Sequence, residues 1–142
     1  MGKMPLPVST LIPLSVATLV WCAGWVADVA TTVRGLRASG SIAMEQNPIA
    51  RVLLRRLGVA GAFLALGAVE ASVVAAHWGV ASLGGERWWA PSWLTVGSAT
   101  ASLLLSGVAH ALAAYGNHRG AVVPVLRPVL RAYVALGRRW RV

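Results

Sequence analysis

LIPLSVATLVWCAGWVADVATTV, residues 11–33, reads as a helix that crosses a membrane with an acid inside it. A span needs roughly 20 apolar residues, and this run supplies them with Asp28 near its far end. A second run, about Leu57 to Val80, carries Glu70, and a third runs from about Trp93 to Tyr115. A charge near the centre of such a helix costs roughly 2.5–3.5 kcal/mol on insertion scales. Asp28 and Glu70 are therefore expected to face a protein interior, pair, take a proton or hold an ion. The expected fold is all-α, an integral membrane bundle of three transmembrane helices plus a C-terminal interfacial amphipathic helix. Residues 1–120 form the bundle, with spans at about 11–33, 57–80 and 93–115, and 121–142 form the basic tail.

Composition agrees. Of 142 residues 57% are hydrophobic and 12% charged, and the mean hydropathy is +0.67, values of the membrane class. This length leaves no room for a separate soluble catalytic domain. The net charge of +9 would suggest nucleic acid in a soluble protein. Here the basic residues sit beside apolar spans, so topology and anionic headgroups explain them and no nucleic-acid partner is expected. The single cysteine, Cys22, excludes an internal disulfide and reads as a small buried hydrophobe. The first run is too long for a signal peptide and reads as a retained helix.

The segment between the first two spans is basic, with Arg34, Arg37, Arg51, Arg55 and Arg56 against Glu45. The second loop balances Arg87 with Glu86, and the end of the chain carries Arg119, Arg127, Arg131, Arg138, Arg139 and Arg141. Positive residues stay inside, which puts the first loop and C-terminus in the cytoplasm and the N-terminus outside. An odd number of spans satisfies this. Within NPIARVLLRR, residues 47–56, Asn47 reads as an N-cap with Pro48 at the first helical position, and the helix is expected to turn into the membrane after Arg56. Trp78, Trp88, Trp89 and Trp93 flank the second loop and suggest an interfacial hairpin. The tail, VVPVLRPVLRAYVALGRRWRV from Val122, has too short an apolar part and too many arginines for a span. Arg127 and Arg131 share one helical face there, and with Arg138 and Arg139 they are expected to meet anionic lipid headgroups.

A rise of 1.5 Å per residue converts position into depth. Asp28 lies roughly 9 Å from Arg34, and His110 roughly 13 Å from Arg119. Thr31 and Thr32 follow Asp28 on nearly the same face, and Asn117 lies seven positions after His110. With Glu45 and Asn47 brought in by the first loop, the residues Asp28, Thr31, Thr32, Glu45, Asn47, His110 and Asn117 form a candidate polar pocket near the cytoplasmic side. Glu70, counted from Arg56, comes out roughly 21 Å deep. With His77 it forms a second candidate, for proton or ion handling, and no direct Asp28–Glu70 contact is expected. Small residues, among them Gly97 with Ala101 and Gly107 with Ala111, allow close helix packing.

The stretch DVATTVRGLRASGSIAMEQNP, residues 28–48, resembles a family of small uncharacterised prokaryotic membrane proteins, of the domain-of-unknown-function class. That family places an aspartate and threonine late in its first span, then a glycine-containing linker and Glu-x-Asn-Pro, matched here by Asp28, Thr31, Thr32, Gly40, Glu45, Asn47 and Pro48. Asn117 matches an asparagine that ends the family's last span, and the resemblance covers about residues 11–118. It implies a three-helix fold in a prokaryotic plasma membrane and no known reaction. Relatives often carry a lysine in the second span, where this chain has Glu70.

No Gly-x-Ser-x-Gly elbow, P-loop, dinucleotide fingerprint or His-Glu-x-x-His is present, so no cofactor is indicated. Asp, Glu and His are metal-ligand types, but Glu-x-Asn-Pro is not a metal spacing. The expectation is a non-enzymatic membrane component with an intramembrane polar pocket, meeting membrane lipids and either a second copy or a membrane partner. The alternatives are an oligomeric proton or ion transporter or channel protomer, and a small lipid-modifying enzyme.

Overall fold

The structure, a computed structural model, describes residues 8–45, 47–84, 92–120, 123–128, 131–132 and 135. Long helices α1, Val8–Ser39, α2, Pro48–Gly84, and α3, Ser92–Arg119, follow one another along the chain. All three are long and apolar enough to cross a membrane, over Leu11–Ser39, Pro48–Ser82 and Leu94–Arg119. The protein is an all-α, multi-pass integral membrane protein. Leu19, Leu64 and Leu105 point outward with 68%, 75% and 72% of their surface exposed. A water-soluble bundle of this size would hide them, whereas lipid tails solvate them.

The helices run past the expected spans. α1 continues through Arg34 and Arg37, because a helix leaving the hydrocarbon needs no break and arginine stems reach water. Gly35 is therefore helical. The stop comes at Gly40, whose φ of 62° suits a left-handed cap and whose amide donates to the Leu36 carbonyl at 3.0 Å. Because α1 starts at Val8, Pro13 lies inside the helix.

A 3-10 turn at Ile42–Met44 leads into α2. Asn47 caps that helix: its Oδ1 accepts from the Ile49 and Ala50 amides at 2.9 and 3.3 Å, and Pro48 opens the helix. Gly58, at φ 68° and ψ 179°, then breaks α2 into a lead-in and a membrane-crossing part. That backbone region belongs essentially to glycine. The break lies just beyond Arg56, where the sequence placed the turn into the membrane.

α1 and α3 run parallel and form the main pair, while α2 packs chiefly on α3 and touches α1 little. The α1 seam is Leu14, Ala17, Trp21 and Gly24; the α3 seam is Val96, Ala99, Leu103 and Gly107. Spacings of three and four keep each set on one face. The backbones meet at Gly24 and Gly107, where a Cβ on Gly24 would lie 2.3 Å from the Gly107 carbonyl oxygen. Gly97, by contrast, faces open space. Cys22 falls off the seam and is exposed, not buried, because positions 21 and 24 take the inward direction. Trp78 also departs from the interfacial reading: it packs against the core, and its Nε1 donates to Thr18 Oγ1 at 3.1 Å. The hairpin with Trp88 and Trp89 lies outside the described residues, as do Arg138 and Arg139.

The described tail has a 3-10 turn at Pro124–Leu126 and exposed helical positions at Arg127 and Arg131.

Candidate functional site

The close Gly24–Gly107 approach fixes what lies one turn further along the same helices. Asp28 follows Gly24 by four residues and His110 follows Gly107 by three, so they face each other across the α1–α3 seam. His110 Nδ1 lies 3.0 Å from Asp28 Oδ2. Two turns further, Asn117 Nδ2 donates to Asp28 Oδ1 at 3.1 Å and to Thr32 Oγ1 at 3.0 Å. Both carboxylate oxygens of Asp28 thus have a partner on α3. Thr31 turns the other way, donating to the Ala27 and Asp28 carbonyls of its own helix at 2.9 and 3.0 Å.

The second ring nitrogen of His110 faces α2. Nε2 lies 3.8 Å from Glu70 Oε1, an ion-pair distance longer than a hydrogen bond. Asp28, His110 and Glu70 therefore form a row across all three helices, and the two acids meet only through the imidazole. Depth counted from Arg56 had separated Glu70 from this group. The break at Gly58 restarts the helix, and eleven residues from Val59 give roughly 16 Å, near the level of His110. His77, paired with Glu70 at the sequence level, shares its α2 face but stands higher. There it meets Ser102 Oγ at 2.9 Å and the Val73 carbonyl at 2.7 Å. α2 and α3 are antiparallel, so seven residues up α2 match eight residues back along α3.

Glu45 and Asn47 hold the linker. Glu45 Oε1 accepts the Asn47 amide at 2.7 Å, and the Arg51 guanidinium grips the Glu45 carbonyl with Nε at 3.0 Å and with its terminal nitrogen. This staple ties the loop to the α2 lead-in and places Glu45 and Asn47 at the mouth of a cavity. The cavity, about 300 Å³, lies where α2 stands away from the α1–α3 pair. All seven pocket residues named from the sequence line it, Asp28, Thr31, Thr32, Glu45, Asn47, His110 and Asn117; Glu70 joins them, and His77 is elsewhere.

The sequence did not single out the apolar walls Leu36, Phe63 and Leu66, nor Val123 and Leu126 from beyond α3, whereas Trp25, three positions before Asp28, shares that acid's face. Spacing held a signal for some of them. Leu36 is eight positions after Asp28, and Phe63 and Leu66 are seven and four before Glu70, so each shares a face with an acid. In a chain this apolar the signal is faint. No arginine or lysine is among the described residues that line the cavity. Arg34, Arg37, Arg55, Arg56 and Arg119 point outward at the same end of the bundle.

No family model, curated protein or solved structure matches this chain. The chemistry must be read from the cavity itself. Among the described residues no group of three His, Cys, Asp or Glu is placed to hold a metal ion. The reason is visible in the row: the imidazole stands between the carboxylates and spends one nitrogen on each, whereas metal ligands converge on one point. The arrangement can pass a proton between two acids through an imidazole, and it can receive hydrogen-bond donors from a molecule seated against apolar walls.

Proposed function

We propose that this chain is a non-enzymatic membrane component that receives a small ligand in the cavity between α2 and the α1–α3 pair. The observation that carries this is the cavity itself, which joins polar side chains from three helices to apolar walls at one end of the bundle. Its size falls at the lower end of small-molecule sites, roughly 300–1,000 Å³. Only part of the surrounding polarity is structural. His110 and Asn117 satisfy the two oxygens of Asp28, but Glu70 stays at ion-pair distance from its nearest partner and is partly open to the cavity.

In this reading the chain sits in a prokaryotic plasma membrane with its N-terminus outside, as the arginine distribution and the resemblance to small three-helix membrane proteins suggest. The cavity then opens toward the cytoplasmic leaflet. The tail lies in the interface as an amphipathic helix, with Arg127, Arg131, Arg138 and Arg139 on anionic headgroups. Native mass spectrometry of the protein released from nanodiscs tests the proposal. The wild type should retain a small molecule that the cavity-filling variant Ala113→Phe loses. Identical spectra without bound mass would count against a ligand site.

A second reading is favoured by the Asp28–His110–Glu70 row, which has the composition of a proton relay. Three helices enclose no continuous path, so this reading requires a homo-oligomer. Proton flux in proteoliposomes that His110→Ala abolishes, together with a crosslinked oligomer, would support it; a strict monomer would exclude it.

A further inference from the structure

The cavity has a charge character opposite to that of the chain. The protein carries 13 basic and 4 acidic residues, yet Asp28, Glu45 and Glu70 all line this one space and no described arginine or lysine does. Arg34, Arg37, Arg55, Arg56 and Arg119 are directed outward, and the half-buried Arg51 is spent on the Glu45 carbonyl at the mouth. Within the row, His110 stands between Asp28 and Glu70 at 3.0 and 3.8 Å. An imidazolium carries one positive charge, so even the fully protonated ring leaves one of these two carboxylates uncompensated. Both acids keep about a quarter of their side-chain surface open, 23% and 28%. In the membrane that surface faces a space bounded by Trp25, Leu36, Phe63 and Leu66. An uncompensated carboxylate in such surroundings calls for a cation or a proton. Trp25 and Phe63 are among these walls, and an aromatic ring attracts a cation placed over its face.

Resting on the ligand-site reading, we propose that the cavity takes a lipophilic cation: a protonated amine on an apolar body, its ammonium on the cavity side of Glu70 and its body against Trp25, Phe63 and Leu66. The charge pattern also excludes the commonest amine in a bilayer, an amine-bearing phospholipid. Its phosphate is bonded close to the amine and would be carried in among the carboxylates, with no described arginine or lysine lining the cavity to receive it. A simple amphiphilic amine has no such conflict. Selectivity for it must come from the cavity, since a chain of net charge +9 attracts anions to its surface and repels cations.

The test uses the full chain in nanodiscs of zwitterionic lipid and three radiolabelled probes with the same body: decylamine, decanol and decanoate, each counted against empty discs. Decylamine should bind saturably, at least about tenfold more tightly than the other two. Glu70→Gln, which removes a charge without removing a hydrogen bond, should weaken decylamine binding by about tenfold or more, and Ala113→Phe should abolish it. Asp28→Asn gives a poorer test, because Asp28 also holds His110 and Asn117 in place. Equal binding of decanol and decylamine, unchanged by Glu70→Gln, overturns the cation proposal and leaves the ligand site standing. Preference for decanoate overturns it as well. Saturable binding of none of the three, with Ala113→Phe indistinguishable from wild type, overturns both the cation proposal and the ligand site.

Discussion

Gly24→Ala should loosen the helix pair and the polar row together. The Cβ it adds would lie 2.3 Å from the Gly107 carbonyl oxygen, where ordinary contact begins at 3.4 Å, so the helices must part by about 1.1 Å. A gap of about 0.5–1 Å forfeits a quarter to a half of each pairwise attraction across a seam, and overpacking of this kind costs about 1–3 kcal/mol. One turn along, the same displacement carries the 3.0 Å Asp28–His110 contact beyond hydrogen-bonding range, adding about 0.5–1.5 kcal/mol. The better helix propensity of alanine returns up to about 1 kcal/mol. The net expectation is destabilisation by about 0.5–4.5 kcal/mol. Reversible unfolding in mixed micelles at increasing denaturing detergent measures it, and nitrogen chemical shifts of the His110 ring report loss of the Asp28 bond. Gly97→Ala is the matched control: a Cβ there meets open space, so that variant should be neutral or slightly stabilised. If Gly24→Ala unfolds at the wild-type midpoint, or the two variants behave alike, the Gly24–Gly107 crossing is not what sets the site.

Three other substitutions probe separate links. Gly58→Ala forces a side chain into a backbone region that costs of order 1–3 kcal/mol; α2 should straighten, and spin-label distances between the lead-in and α3 should change by several Å, whereas unchanged distances would contradict the break at Gly58. Asn47→Ala removes the cap over the Ile49 and Ala50 amides, which should cost about 1 kcal/mol and speed their hydrogen exchange about fivefold, with Asn47→Ser restoring most of the protection. Cysteines placed at Ser39 and His118 should both react with a membrane-impermeant maleimide from the cytoplasmic side only; labelling from opposite sides would overturn the proposed orientation.

The helices were legible because three apolar runs of membrane length can be little else. Their ends were less so. α1 runs on through Arg34 and Gly35 to Gly40, since length and composition mark where hydrocarbon begins and not where a helix stops. The pocket's polar members were legible through depth: counted from arginines at the same end, Asp28 falls at a level between His110 and Asn117, and it bonds to both. Glu70 was misplaced by the same arithmetic, because a straight count from Arg56 ignores the break at Gly58. The arginines before Gly58 hinted that the chain changes direction there, but a glycine's φ is not written in its neighbours. The walls Phe63 and Leu66 were hidden for another reason. In a bilayer an apolar side chain is equally at home against lipid or against a cavity, so hydropathy does not tell the two apart.

The most direct test of the account is a high-resolution structure of the protein in nanodiscs with its native lipids retained. The account predicts α2 standing away from the α1–α3 pair, with density in the cavity within contact distance of Asp28 and Glu70. A closed bundle in which α2 collapses onto α1, and Glu70 hydrogen-bonds within the protein with no density beside it, would contradict the ligand site and leave the row as a structural tie between helices.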